Sequence, residues 1–181
     1  MYLSTAAGSN TAGKSVDVRI GKNDQSSLPD LGGRFRIGHV EVLRRGGDVA
    51  LLATGAIATE AAEAGRQLEA MGVSCGLAMV ACLAPVPRDD IASFLGSVPV
   101  AVTVETHYVD SGLGSLTAEV IAEKGLRCKL IRAGVDSVPD RYSGSQQYME
   151  HRFRLDAASL VESVLDARSL RRAPAGTIAG E

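Results

Sequence analysis

Tryptophan is absent from this chain of 181 residues, and aromatic residues of all kinds make up only 4% of it. A hydrophobic core must therefore be built from Ala, Val, Leu and Ile. That mix is typical of valine-rich strands packed under alanine-rich helices, so the composition favours a layered α/β protein. The chain is long enough for one well-buried core and short for two, which predicts one domain with tails.

The sequence also lacks an excess of charge of either sign, a long apolar run and a cysteine framework. Nineteen basic residues against 21 acidic ones give a net charge of −2, too balanced for the electrostatic footprint that nucleic acid or an anionic membrane requires. No apolar run reaches the ~20 residues of a membrane-spanning helix, and no signal-peptide pattern opens the chain. The three cysteines are an odd number without CxxC spacing, which argues against disulfides and a metal site. We therefore expect a soluble, cytoplasmic protein that binds neither nucleic acid nor membranes.

The first 33 residues are rich in Gly, Ser, Asn and Asp, a composition typical of linkers and turns. Within them, residues 8–15 (GSNTAGKS) match the phosphate-loop pattern, in which backbone amides surround phosphates and a lysine contacts them. Such a loop must leave a buried strand and enter a helix. Here the preceding residues are few and polar, and residues 16–20 alternate like a strand. We interpret the segment as a linker, with nucleotide binding at Lys14 as the alternative that an ATP titration would test.

A different pattern begins at Arg34. Residues 40–43 and 49–53 read as two strands joined by a glycine-containing turn, which predicts an antiparallel hairpin. Strands and helices then alternate, which predicts parallel crossovers with helices on both faces of a sheet. The expected strands are residues 75–80, 100–104 and 128–131, and the expected helices are residues 57–71, 89–95, 116–123 and a last one with Asp156 as its N-cap. This assigns residues 34–168 to one domain and residues 169–181 to a disordered tail.

Five stretches carry a resemblance to a known family. They are residues 46–55 (GGDVALLATG), 99–107 (PVAVTVETH), 112–120 (GLGSLTAEV), 144–148 (GSQQY) and 154–156 (RLD). In this order and spacing they resemble the C-terminal domain of transketolase-like thiamine diphosphate enzymes, over about residues 34–167. The resemblance implies a three-layer α/β fold whose five-stranded, mostly parallel sheet contains one antiparallel strand.

Enzymes of this family are built from three modules, to which the resemblance assigns different tasks. One module binds the cofactor diphosphate with Mg²⁺, the second binds its aminopyrimidine and supplies the catalytic glutamate, and the third packs against both at the dimer. This chain resembles only the third. The Gly-Asp-Gly pattern of the diphosphate module is absent, since Gly47 and Asp48 are followed by Val49. We therefore expect no catalytic residue in this chain, and we expect partner modules of an oligomeric assembly to bind thiamine diphosphate and Mg²⁺.

Arg19 is the candidate for contact with a substrate. Residues 16–22 (VDVRIGK) are similar to the last strand of the pyrimidine-binding module, where family members carry an arginine that holds the substrate phosphate. A guanidinium group suits that role, because it stays charged and binds phosphate through two parallel hydrogen bonds. The alternative is an exposed arginine in a linker.

Glu105, His107, Gly112 and Gly114 are expected at an interface or in a loop near the assembled site. His107 follows a parallel strand, at the sheet edge where ligands and neighbouring modules lie. A lone histidine without a nucleophile or metal partner is weak evidence of catalysis, so we favour a structural histidine held by Glu105 or by a backbone carbonyl. The glycines lack the third glycine of a dinucleotide motif, and we interpret them as a loop that lets a helix begin close to the sheet.

The other histidines and one pair of acids receive no catalytic role. His39 and His151 show no partner pattern and are interpreted as solvated or capping residues. Asp89 and Asp90 are adjacent at the start of a helix, where the helix dipole favours negative charge, so we interpret them as an acidic first turn.

The leading hypothesis is that this chain is the C-terminal subunit of a split transketolase-like enzyme, or a domain excised from one. The assembly would transfer a two-carbon ketol unit between sugar phosphates, and the chain would be inactive without its partners. A non-catalytic interaction or regulatory module with the same fold is the alternative from another class. Within the family, a deoxyxylulose-phosphate synthase component and a 2-oxo-acid dehydrogenase β-type component stay open, although residues 144–148 favour transketolase.

Overall fold

The computed structural model describes residues 36–96, 98–137 and 143–172 of the chain. These residues contain five strands and five helices. The strands are β1 (Glu41–Arg44), β2 (Val49–Thr54), β3 (Cys75–Met79), β4 (Val100–Tyr108) and β5 (Lys129–Val135). The helices are α1 (Ala58–Ala70), α2 (Arg88–Leu95), α3 (Leu113–Glu123), α4 (Gln146–Arg152) and α5 (Ala157–Arg172).

Several sequence-based predictions lie outside the described residues. They concern the linker at residues 1–33, the loop at residues 8–15, Arg19, and the tail at residues 173–181. They stay predictions.

The five strands form one sheet in the order β1-β3-β2-β4-β5. β2 pairs in parallel with β3 and β4, and β4 pairs in parallel with β5. β1 pairs antiparallel with β3. The prediction of a five-stranded, mostly parallel sheet with one antiparallel strand is confirmed.

Helices cover both faces of this sheet. Along β2, Val49, Leu51 and Ala53 lie in one core with α1 and α5, whereas Ala50 and Leu52 lie in a second core with α2 and α3. All five side chains are buried, as expected for a central strand covered on both faces. Because fully burying one leucine contributes roughly 1.5–3 kcal/mol, this continuous apolar run favours the central position. The three-layer architecture is confirmed.

α1 shows how apolar spacing positions a helix on the sheet. Ile57, Ala61, Ala64 and Leu68 are fully buried, and their spacing of three and four residues places them on one face. The chain leaves the helix through Gly72, whose φ of +76° is a left-handed conformation that glycine adopts without steric cost.

The predicted pairing of β1 with β2 in a hairpin is wrong, although the two strands do run in opposite directions. β3 lies between these strands, so β1 pairs with β3 rather than with β2. The connection crosses the start of β3, where Nε of Arg44 donates a hydrogen bond of 2.8 Å to the carbonyl oxygen of Cys75. A Cβ atom at Gly46 would overlap the backbone of Cys75 and Gly76, so the crossing needs glycine there. Local spacing cannot reveal that a later strand inserts between two sequence neighbours.

Some elements extend past their predicted bounds. β4 continues beyond residue 104 to Tyr108, α3 begins earlier, at Leu113, and α5 continues to Arg172 instead of ending at residue 168. In each extension polar or glycine residues interrupt the apolar pattern. Even with α5 at this length, none of the helices in the described ranges is long and apolar enough to cross a membrane.

Candidate functional site at the carboxyl end of β4

β4 carries a bulge at its carboxyl end. Its pairing with β5 is regular up to Val104 opposite Ala133, and the next pair is Tyr108 opposite Val135. Between these pairs β5 has one residue, Gly134, while β4 has three, Glu105, Thr106 and His107. Bulges bend a strand and redirect its side chains, and they are over-represented next to functional sites. The carboxyl end of β4 is therefore a candidate for such a site.

Gly134 makes room for this bulge. A Cβ atom there would lie 3.0 Å from the carbonyl oxygen of His107 and 3.0 Å from Cγ1 of Val109. Contacts that short are tighter than close-packed interiors accept without a shift of the neighbouring atoms. The extra residues of β4 thus depend on a glycine in the neighbouring strand.

Glu105 turns into the protein and caps α3. It is only 2% exposed. Its Oε2 accepts a hydrogen bond of 2.8 Å from the N–H of Leu113, and its Oε1 accepts one of 2.8 Å from the N–H of Gly114. The first N–H groups of a helix have no partner within it, and the helix dipole favours negative charge there. Because charge-assisted hydrogen bonds are the stronger kind, Glu105 firmly ties β4 to α3.

Gly112 and Gly114 lie where α3 begins, close to the sheet. A Cβ atom at Gly112 would overlap the carboxylate of Glu105. At Gly114 it would lie 2.9 Å from Cγ of Arg132 and 3.1 Å from Oγ1 of Thr103. In a dinucleotide site such a loop leaves the helix N-terminus free for phosphate, whereas here Glu105 occupies it.

The interpretation of His107 as a histidine held by the carboxylate of Glu105 is wrong. Both carboxylate oxygens of Glu105 are used by α3, and the bulge leaves His107 exposed. Within the described residues no hydrogen bond holds the imidazole, and its ring lies edge-on to Tyr108 with 6.0 Å between ring centroids. An exposed histidine beside an exposed tyrosine fits a surface that meets another molecule, since aromatic residues are enriched at interfaces.

A groove of about 340 Å³ opens beside this bulge, between the carboxyl ends of β4 and β5 and the helix α4. We call it the β4–α4 groove. Its lining is largely apolar, with buried or half-buried side chains inside and exposed ones towards solvent. The residues that line it are Thr106, His107, Tyr108, Val135, Gln146, Met149, Glu150, Phe153 and Leu155.

Glu150 is the acidic residue of the β4–α4 groove, and it is only 7% exposed. Its Oε1 accepts a hydrogen bond of 2.8 Å from Nε2 of Gln146, one turn earlier on α4. Sequence reasoning missed both Glu150 and the groove. The available signal was a single acid on the helix face that also carries Met149 and Phe153, but a seven-residue helix is too short for its period to be read.

The described residues do not fit thiamine diphosphate. A diphosphate needs positive charge or free N–H donors, and the N-terminus of α3 already holds the carboxylate of Glu105. In the described ranges no group of three or more His, Cys, Asp or Glu side chains is arranged to hold a metal ion. No chemical step is therefore assigned to the cofactor at this site.

The two histidines interpreted as lacking partners each face an aspartate. Nδ1 of His39 lies 2.9 Å from Oδ2 of Asp90, and Nδ1 of His151 lies 3.2 Å from Oδ2 of Asp156. The first pair is 51 residues apart in sequence, so no local pattern could show it.

Cys75 is not a candidate nucleophile. Burial raises the pKa of its thiol to about 11, which keeps it protonated and unreactive at neutral pH.

Comparison with known proteins links this fold to one family. The family described as "Transketolase, C-terminal domain" matches residues 38–160. An apulose-4-phosphate transketolase subunit of Actinobacillus succinogenes is 30% identical over 145 residues, which cover 78% of this chain and 47% of that protein. The 1-deoxy-D-xylulose-5-phosphate synthase of Syntrophotalea carbinolica is 33% identical over 139 residues, which cover 76% of this chain and 22% of that protein.

A solved structure adds the three-dimensional likeness. It is a split gene transketolase described as an inactive beta4 tetramer, and it superposes with a TM-score of 0.69 at 32% identity. The match covers 77% of this chain and 45% of that one. The chain thus spans less than half the length of each of these relatives.

Proposed function

Because this chain belongs to the transketolase C-terminal domain family, we propose that it is the C-terminal part of a thiamine diphosphate-dependent, transketolase-like transferase that acts only when partner modules complete it. The match over residues 38–160 carries the proposal. The similarity to one transketolase subunit and to a split gene transketolase supports a separate polypeptide. Thiamine diphosphate and Mg²⁺ are then held by the partner modules.

The contribution of this chain is assembly rather than chemistry. Glu105, Gly112 and Gly114 fix the start of α3 against the sheet, and they leave His107 and Tyr108 on the surface beside the groove. A rigid edge that displays aromatic side chains suits an interface with the partner modules. Arg19 is proposed as the residue that reaches the substrate phosphate, and its chemistry supports this role.

Reconstitution tests this function. The chain is purified and mixed with the polypeptide from the same organism that carries the diphosphate- and pyrimidine-binding modules, with thiamine diphosphate and Mg²⁺ added. We expect the two to elute together in size-exclusion chromatography, and we expect ketol transfer between sugar phosphates from the mixture but from neither chain separately. An Arg19→Ala variant should assemble normally and transfer more slowly. Separate elution, together with turnover that this chain leaves unchanged, contradicts the proposal.

A second candidate activity follows from the similarity to 1-deoxy-D-xylulose-5-phosphate synthase. The same mixture is assayed for formation of 1-deoxy-D-xylulose 5-phosphate. Formation of that compound without ketol transfer would assign the assembly to the synthase type. A stable complex with a protein that has no thiamine diphosphate site would instead indicate a non-catalytic interaction module.

A further inference from the structure

Glu150 is a buried acid whose charge the described residues do not balance. Its carboxylate accepts one hydrogen bond among them, from the neutral amide of Gln146. Two cationic residues near it in sequence pair with other acids, His151 with Asp156 and Arg154 with Glu162. Buried carboxylates are normally paired with a cation or with several donors, because desolvation of an unpaired charge is costly.

Glu105, a second buried glutamate at this end of the sheet, differs from Glu150 in its hydrogen-bond partners. Glu105 accepts two backbone N–H donors at a helix N-terminus, so its charge is compensated inside the fold. Among the described residues Glu150 has no such pair of donors, and it lines an open groove. A carboxylate has about four acceptor positions, and the described residues fill only one of those on Glu150.

The shape of the β4–α4 groove narrows the chemistry of that group. Its volume of about 340 Å³ is at the lower end of the ~300–1,000 Å³ of binding pockets. Met149, Phe153 and Leu155 give it an apolar wall beside the carboxylate. Arginine combines an apolar stem with a planar charged head that binds carboxylates through two hydrogen bonds and stacks on aromatic rings. Tyr108, 45% exposed, offers such a ring at the border of the groove.

We propose that the β4–α4 groove receives an arginine side chain from the partner protein that carries the missing modules, with the guanidinium on Glu150 and the stem along Met149 and Phe153. This inference rests on the proposed function, because the protein that supplies the arginine is the partner which that function requires. Charge complementarity supports it, since the groove supplies an acid and the described residues that line it include neither lysine nor arginine. Arginine and tyrosine are also, together with tryptophan, the residues enriched among those that contribute most binding energy at interfaces.

A peptide titration tests the groove without the partner. The ¹⁵N-labelled full chain is titrated with acetyl-Leu-Arg-Leu-amide and, separately, with the same peptide containing citrulline, which has the shape of arginine without its charge. We expect saturable shifts of the amides of His107, Glu150 and Phe153 with the arginine peptide. Binding should be weakened roughly tenfold or more by citrulline or by Glu150→Gln, since truncating one side of a buried ion pair is that costly.

The matched control is Glu162→Gln, which removes a glutamate that pairs with Arg154 on the surface and should bind like the wild type. Equal binding of the two peptides, equal binding by Glu150→Gln, or no saturable shift in the groove overturns the proposal. Thermal melting checks that Glu150→Gln is folded. Arg141 belongs to residues 138–142, which lie outside the described ranges and precede α4 in sequence. Arg141→Ala tests whether the chain supplies the arginine itself: if the wild type binds no peptide and this variant does, the chain fills its own groove, and the proposal is wrong.

Assembly with the partner separates this proposal from the proposed function. The affinity of the reconstituted complex is measured with the wild-type chain and with Glu150→Gln, and we expect a roughly tenfold or larger loss in the variant. Unchanged affinity overturns the groove proposal while the proposed function stands. Failure of the wild-type chain to assemble overturns the proposed function, and the peptide titration still decides the chemistry of the groove.

Discussion

The residues at the carboxyl end of β4 divide into an inward set and an outward set. The bulge sends Glu105 into the N-terminus of α3 and leaves His107 on the surface. A regular strand alternates side chains one by one, so without the extra residues the pair would share a face. The bulge in β4 thus allows Glu105 to cap α3 while His107 stays exposed on the surface.

Glu105→Gln should destabilise the chain by about 1.5–3 kcal/mol, because the amide oxygen can accept only one of the two N–H groups, without the charge, and the amide N–H₂ group then faces the other donor. The free energy of unfolding in urea measures this loss. The matched control is Glu119→Gln, whose exposed carboxylate lies 3.1 Å from Arg88 and should contribute less than about 1 kcal/mol. Equal effects of the two changes would show that Glu105 does not hold α3.

Gly112→Ala should destabilise the chain by about 1–3 kcal/mol, the usual cost of an overpacked position, because the new Cβ overlaps the carboxylate of Glu105. The same change in a Glu105→Ala background should cost less, since the clashing group is gone. A coupling of about 0.5–3 kcal/mol in this double-mutant cycle is expected for residues in contact.

Gly47→Ala is the control for that cycle. A Cβ atom there would have no neighbour within 4 Å, so the change should stay within about 0.5 kcal/mol of the wild type. Strictly additive effects of Gly112→Ala and Glu105→Ala would contradict the close approach that the structure shows.

At the scale of elements, sequence patterns predict those with a strong apolar period and miss those defined by pairing. β2, β3 and α1 were predictable because their buried residues recur at strand or helix spacing. The last part of β4 was not, because Thr106 and His107 follow its apolar run and resemble a loop. The position of β1 beside β3 depends on contacts across the sheet that no local pattern encodes.

The segment before β1 is fastened to α2 through Asp90, and this contact should depend on pH. Oδ2 of Asp90 accepts a hydrogen bond of 3.0 Å from the N–H of Val40 and lies 2.9 Å from Nδ1 of His39. The hydrogen bond from Val40, and next the contact with His39, hold the pKa of Asp90 below its ordinary value of 3.8. Folding therefore favours the ionised form.

The contribution of Asp90 to stability should be fully present above about pH 4, where the unfolded chain is also ionised, and it should be lost as the pH falls through the lower pKa of the folded state. Asp90→Asn should thus be less stable than the wild type at pH 6, and the difference should shrink towards pH 2. Urea unfolding at several pH values measures it. Asp166→Asn, on the exposed face of α5, is the control, because it removes an aspartate and leaves the contacts of Asp90 in place.

At the scale of the whole molecule, the fold was predictable and the site was only partly so. The order of motifs from Gly55 to Asp156 predicted the family and hence the sheet, and Glu105, Gly112 and Gly114 stood in motifs that drew attention to one edge of it. Glu150 stood in no motif. A buried acid points to a site only when its burial and its hydrogen-bond partners are known, and the sequence shows neither. Tertiary structure is needed to show which polar groups are satisfied.

The described part of the chain should fold as an independent domain. Its buried apolar residues begin at Val40 and end at Ala167, so a fragment of residues 36–172 contains both cores. We expect it to melt cooperatively, with a midpoint within about 4 °C of the full chain, the effect of roughly 1 kcal/mol at this size.

A fragment of residues 36–156 lacks α5, whose Leu160 and Val164 are fully buried. Losing large core side chains costs about 2–5 kcal/mol each, against a total stability of about 5–15 kcal/mol, so this shorter fragment should show no cooperative transition by circular dichroism. If the longer fragment also fails to melt cooperatively, residues outside 36–172 contribute to the core, and the domain boundary lies elsewhere.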